Sequence, residues 1–176
     1  MAGKPEVISE YIYRGKVVTL RIDTTRTGDG REIRREIVEH RGAVAIVPRL
    51  NSHTILMVRQ FRAAVAETLL EIPAGTLEPG EDIDTCAQRE LEEEIGYRAS
   101  SVRLMFSQYL APGYSSEVLH AYLGENLTKT QAHLEADEDI EVVPVRIDEI
   151  EPMILDGRIK DAKTIAALLV ALRLLN

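Results

Sequence analysis

Cysteine is almost missing from this chain: Cys86 stands alone. No intrachain disulfide can form, and a reducing, cytoplasmic setting is the expectation. A lone thiol invites a nucleophile role, but inside a helix it reads as a small packing residue. Long apolar runs are also missing. No N-terminal stretch resembles a signal peptide, and the closing AALLVALRLL is too short to span a bilayer. With a helix start at Asp161 to Thr164, it reads as a docked terminal helix. Positive charge is scarce too: 21 Lys and Arg face 29 Asp and Glu, a formal net charge of −8. That balance excludes a general phosphate-backbone binder, so neither nucleic acid nor a membrane is expected as partner. An anionic small molecule stays admissible where metal ions invert the local field. Internal repeats and low-complexity tracts are absent as well.

What is present suits a soluble globular fold: 176 residues, 45% hydrophobic and 28% charged. Residues 16–24 (KVVTLRIDT) predict a strand, and TGDG at 27–30 a turn. REIRREIVEH at 31–40 fits a helix or a strand, and the preceding turn selects a hairpin. Residues 1–41 thus form an N-terminal antiparallel β element too small to hold a core alone. It is expected to pair with the main domain or with a second subunit. From Gly42 onward come short apolar runs: AVAIV at 43–47, ILMV at 55–58, VRLMF at 102–106, VLHAYL at 118–123 and IEVVPV at 140–145. Such runs suit strands of a mixed sheet buried on both faces. A helix is predicted from Asp82, its cap, to Ile95, with Gly96 as its stop. Another occupies 148–155 before Asp156-Gly157. Strands between helices on both sides give an α/β fold, an α/β/α sandwich over residues 42–176.

The predicted helix 82–95 carries Glu90, Glu92, Glu93 and Glu94 near its C-terminal end. Carboxylates there repel one another and face the negative pole of the helix dipole. At roughly 100° per residue, Glu90, Glu93 and Glu94 share one face while Glu92 turns to solvent. Ala87, Leu91 and Ile95 make the adjoining apolar stripe, and Arg89 reaches Glu93 at i, i+4. A solvated acidic face is one reading of such a run. A divalent cation held against it is the other.

The surrounding residues favour the cation. Gly75, Glu81, Arg89, Glu90, Leu91, Glu93, Glu94 and Gly96 match G-x5-E-x7-R-E-U-x-E-E-x-G-U, where U is bulky and apolar, and Tyr97 fills the last position. This resembles the Nudix hydrolase box, eight positions over 23 residues. The resemblance implies the Nudix-type sandwich and a hydrolase cutting a nucleoside diphosphate linked to another group. It makes Glu90 and Glu94 metal ligands, Glu93 a further ligand or an orienting catalytic group, and the Ala74 carbonyl a backbone ligand. It also implies Mg2+ or Mn2+, two or three ions. Mg2+ wants oxygen ligands and commonly binds through few carboxylates plus substrate phosphates. Glu81 is expected to support the loop rather than touch metal.

Two segments outside the box bear on substrate. Arg59 and Arg62, in VRQFRAAVAETLLEIPAG at 58–75, would grip phosphate, or else pair with Glu67 or Glu71 as surface arginines. Pro112, 16 residues past Gly96 and followed by Gly113, matches a proline that marks the ADP-ribose pyrophosphatase branch. That resemblance implies conversion of ADP-ribose to AMP and ribose 5-phosphate, with Pro112 and Gly113 at the substrate. The same pattern occurs in GDP-mannose hydrolases, and a ligand-sensing domain on the same fold is the non-enzyme alternative. The resemblance also implies a loop glutamate that takes a proton from water or binds a further metal. Within LEADEDIEV at 134–142, the E-x-I-E-V portion makes this Glu138, ahead of Glu135 and Glu141. Related enzymes exchange their N-terminal element between subunits, which implies a homodimer.

Overall fold

The computed structural model describes residues 7–133 and 139–175. Strands β4 (Ala43–Asn51) and β5 (Thr54–Arg62) form a tight hairpin built on the apolar runs AVAIV and ILMV. Along β4 the burial alternates by face: Ala43, Ala45 and Val47 enter one core, Val44 and Ile46 the other. A strand buried on both faces needs a continuous apolar run, which AVAIV supplies. Beyond it lie β6 (Glu67–Glu71), β7 (Ala74–Thr76), β8 (Tyr97–Tyr109), β9 (Val118–Lys129) and β10 (Ile140–Arg146). The main path of the sheet runs β10-β5-β4-β9-β8, with β4 and β9 parallel and the other pairs antiparallel.

Helix α1 (Ile83–Ile95) covers one face, packing Cys86, Ala87, Leu91 and Ile95 against Val44, Ile46, Leu56 and Val58. Helices α2 (Ile150–Leu155) and α3 (Ala162–Leu175) cover the other, where Ile150, Met153, Ala167, Leu168 and Ala171 meet Val47, Met57 and Leu119. The expected α/β/α sandwich is therefore the observed one. The stretch 148–155 divides into a 3-10 turn, Ile147–Glu149, followed by α2. Pro152 fits there because first-turn amides have no helical acceptor to lose.

A split in the sheet positions the site. β4 pairs with β5 only near their shared turn, at Arg49↔Ile55 and Asn51↔Thr54. Farther along, the two strands separate, β6 pairs with β5, and β7 pairs with β4 at Ala43↔Thr76 through Ala45↔Ala74. The segment joining β6 to β7 is Ile72-Pro73, and it passes between the separated strands, with Ile72 buried in the core under α3 and Pro73 against β4. Both short strands escaped the sequence reading, because five- and three-residue strands carry too little periodicity.

The amino-terminal hairpin is present, with β2 (Thr19–Arg26) paired to β3 (Glu32–Glu39). A third strand, β1 (Val7–Arg14), extends it, with every residue exposed and so no one-sided apolar alternation to betray it. The small sheet joins the main domain where Val38 N–H donates to Tyr114 O at 2.8 Å and Ser116 N–H donates to Val38 O at 3.0 Å.

A candidate active site on the acidic helix

Local chemistry sets α1 in place. Asp82 accepts from Thr85 N–H at 3.1 Å, closing the first turn, and Asp84 complements the positive end of the dipole. Gly96 ends the helix at φ 66°, a left-handed conformation open to glycine at little cost. The apolar stripe then fixes the rotation of the helix, and with it the direction of each glutamate.

That rotation buries Glu90 and Glu94, which are 7% and 4% exposed. Buried carboxylates are costly unless partnered. Glu94 accepts from the Ala74 N–H at 3.1 Å, and Glu90 lies 2.7 Å from Arg89 Nη1. Arg89 does more than the expected i, i+4 contact with Glu93, which it makes at 2.8 Å. Its Nε and Nη2 also hold Glu81, at 2.8 and 3.0 Å. One guanidinium thus serves three carboxylates, and the hydrogen bonds it donates to Glu81 foremost keep it protonated well beyond the ordinary arginine range. Glu92 is only half-buried, on the side where Arg98 and His133 lie, rather than fully in water.

Glu81 ties the loop to the helix, accepting from Glu78 N–H at 2.9 Å as well as from Arg89. The Arg89 hydrogen bond pulls its carboxyl down to about 2, against the opposing effect of burial. A depressed carboxyl stabilises the fold fully above its ordinary value of 4.5, and that contribution disappears as pH falls toward about 2. Glu81→Gln should therefore flatten the fall of Tm with acidification across this window. Equal slopes for both proteins in pH-series thermal melts would refute the linkage.

The backbone beside the carboxylates is equally constrained. A Cβ added at Gly75 would stand 1.8 Å from Glu90 Oε1 and 2.3 Å from Oε2, so the loop approaches as only glycine allows. Ile46 N–H donates to Pro73 O at 2.9 Å, and Ile72 N–H donates to Thr164 Oγ1 at 3.1 Å. Two buried carboxylates one helical turn apart, lined by this backbone, suit a hard divalent cation. Mg2+ binds through one or two carboxylates and fills its octahedron with substrate phosphates and water. Among the described residues, no three His, Cys, Asp or Glu side chains gather as a closed metal cage.

The other expected residues lie at several places. Arg62 donates through Nε and Nη2 to Glu71, both at 2.8 Å, one of the two pairings foreseen for it. Glu67 pairs instead with Lys160 at 2.6 Å. Arg59 sits opposite Glu141 on β10 and pairs with it at 2.5 Å, so Glu141 is engaged with an arginine at the sheet surface. Pro112 and Gly113 are exposed in the turn between β8 and β9 that docks β3. Glu135 and Glu138 lie outside the described residues. Cys86 is buried in the α1 core, and burial first, then Glu81, pushes its thiol up to about 12, consistent with a packing role.

Glu71 and Lys163 went unread as site residues, Glu71 having entered only as a possible partner of the arginines. The carboxyl is 1% exposed, held by Arg62 and Lys163, while Lys163 also meets Asp161 at 2.9 Å. Burial opposes ionisation of Glu71, but these two cations outweigh it and hold the carboxyl below its ordinary range. A lone acid inside the apolar run LLEIP was the available signal. Fully buried Tyr122, whose hydroxyl donates to Asp84 at 2.6 Å, secures the start of α1 in a similar way.

Residues 39–168 match the family model of the NUDIX domain. The chain is 39% identical to a methanol dehydrogenase activator of Bacillus methanolicus, over 90% of this chain and 87% of that protein. It is 38% identical to an ADP-ribose pyrophosphatase of Bacillus subtilis (strain 168), over 92% and 89%. A solved structure described as an ADP compounds hydrolase superposes with a TM-score of 0.84, at 23% identity, over 99% of this chain and 96% of that one. With its family model spanning most of the sequence, the chain belongs to the NUDIX family.

Proposed function

We propose that this protein hydrolyses the pyrophosphate bond of ADP-ribose, giving AMP and ribose 5-phosphate. The observation that carries the reading is the buried Glu90 and Glu94 pair against the Ala74–Gly75 backbone. Similarity to an ADP-ribose pyrophosphatase over nearly the whole chain supports the substrate. Two or three Mg2+ or Mn2+ ions, held by Glu90, Glu94, the Ala74 carbonyl and Glu93, would neutralise the diphosphate and lower the pKa of a bound water. Arg89 pairs with both Glu90 and Glu93 and so orients their carboxylates. Glu138 is the residue assigned to take the proton from the attacking water. Arg59 and Arg62 supply forked donors for phosphate oxygens, and Pro112 with Gly113 borders the substrate.

Ranking ADP-ribose, GDP-mannose, dinucleotides and nucleoside triphosphates by kcat/KM, with Mg2+ and with Mn2+, tests this. ADP-ribose should lead. A lead for GDP-mannose replaces the substrate, and turnover of none of them leaves a ligand-sensing domain.

The N-terminal element, residues 1–41 of the chain, whose described part carries the small sheet of β1 to β3, is proposed as a dimer contact that also borders the substrate pocket. Ile8, Tyr13 and Val17 are 66%, 60% and 55% exposed, apolar surface of the kind that subunit contacts cover. Sedimentation equilibrium should give the dimer mass for the wild type and the monomer mass for an I8E/Y13E variant. A monomeric wild type would refute the assignment.

A further inference from the structure

Glu71 stands at the end of β6, three residues ahead of the Ala74 amide that holds Glu94. Its burial would be unfavourable without partners, and Arg62 and Lys163 both supply them. Lys163 shares itself with Asp161, which caps α3 by accepting from Thr164 N–H at 2.9 Å. Two cations and two anions leave this group formally neutral, so it can sit in the split of the sheet without a counter-ion from solvent. Exposure differs sharply across it: Glu71 is 1% exposed, while the Arg62 side chain is 38% exposed. The guanidinium is therefore gripped from the inside and open to the outside. Nε and Nη2 are spent on Glu71, and a planar fork held on one edge can turn only its other edge outward. The charge of Glu94 also bears on Arg62, so the fork lies within electrostatic reach of the acidic helix.

We propose that Glu71 is a positioning residue: it locks two nitrogens of the Arg62 fork so that the remaining edge is presented to a substrate phosphate. The inference rests on the diphosphate-hydrolase reading above. An arginine held this way loses little rotamer freedom when phosphate arrives, whereas a loose one must be ordered at the cost of affinity. Its grip is felt by bound substrate and transition state alike, so its loss should appear in KM more than in kcat.

The test compares the wild type with Glu71→Asp, Arg62→Gln, the double variant, and Glu67→Gln as a control on the same strand. Glu71→Asp keeps the charge between Arg62 and Lys163 but draws it back from the fork. KM should rise roughly 10- to 100-fold in Glu71→Asp with kcat little changed. Arg62→Gln should behave alike, the double variant should be no worse than Arg62→Gln alone, and Glu67→Gln should match the wild type. A merely structural Glu71 would instead reduce the folded fraction, lowering apparent kcat at unchanged KM. That pattern, or independent effects that multiply in the double variant, overturns the proposal. Kinetics are read on whichever diphosphate the wild type cleaves fastest, so a substrate other than ADP-ribose overturns the substrate assignment alone. No cleavage of any diphosphate overturns both readings. An arm needing no altered Glu71 follows the Arg62 Nε–H by 15N NMR, identified by its loss in Arg62→Gln. Slow solvent exchange in the free protein and a shift on adding ADP are expected, and fast exchange overturns the proposal.

Discussion

Glu94→Gln should lower kcat for diphosphate hydrolysis by roughly a hundredfold or more while the fold stays intact. The side chain is buried on α1 and accepts from Ala74 N–H. Glutamine keeps the shape, and its amide oxygen can still accept that bond, so packing and the loop contact survive. What goes is the charge. Lewis-acid stabilisation of developing phosphoryl charge is worth several kcal/mol, and each 1.36 kcal/mol is tenfold in rate, so losing about 3 kcal/mol gives the stated drop. Calorimetry should show weaker Mg2+ or Mn2+ binding in the same variant, with Tm within a few degrees of the wild type. Glu92→Gln, altering the glutamate directed away from the pair, should keep near wild-type turnover. Wild-type rates from Glu94→Gln would remove the metal assignment.

The contrast between Glu92 and Glu94 shows what the sequence made legible. Helical spacing alone separates the two, because 3.6 residues per turn puts Glu90 and Glu94 on one face. The caps at Asp82 and Gly96, the continuous apolar run of β4 and the terminal helix are likewise written in local chemistry. What spacing cannot show is a partner brought by the fold. Arg89 was readable as a neighbour of Glu93, yet its bonds to Glu81 depend on how the loop returns over the helix. The choice of Glu71 for Arg62 and Glu141 for Arg59 depends on β5 having β6 on one side and β10 on the other. That arrangement follows from strands splitting apart, which no window of sequence records. β1 was hidden for a different reason: a strand exposed on both faces leaves no period-two burial pattern.

Gly75→Ala sets two effects of opposite sign against each other, and their sizes decide the result. Gly75 is not among the glycines with positive φ. Alanine would therefore be tolerated by the backbone and would gain about 0.4–1 kcal/mol by narrowing the unfolded ensemble. Against this, the new methyl would lie 1.8 Å from Glu90 Oε1, far inside contact distance. β7 is held in register with β4 at Val44↔Gly75, so the loop does not yield readily. The carboxylate, at the end of a flexible side chain, is the part that moves, breaking its pairing with Arg89 Nη1. Overpacking of this kind costs about 1–3 kcal/mol, so the net change should be a modest loss of stability, read as a Tm lower by a few degrees. Activity should suffer far more. A displacement of about 1 Å in a positioning group can cost about a hundredfold, and Glu90 must move at least that far to clear the methyl. Combining Gly75→Ala with Glu90→Asp should recover Tm without recovering turnover, since the shorter acid clears the methyl but no longer reaches its place. A Gly75→Ala protein as active as the wild type would show that the close approach of loop and carboxylate has no part in catalysis.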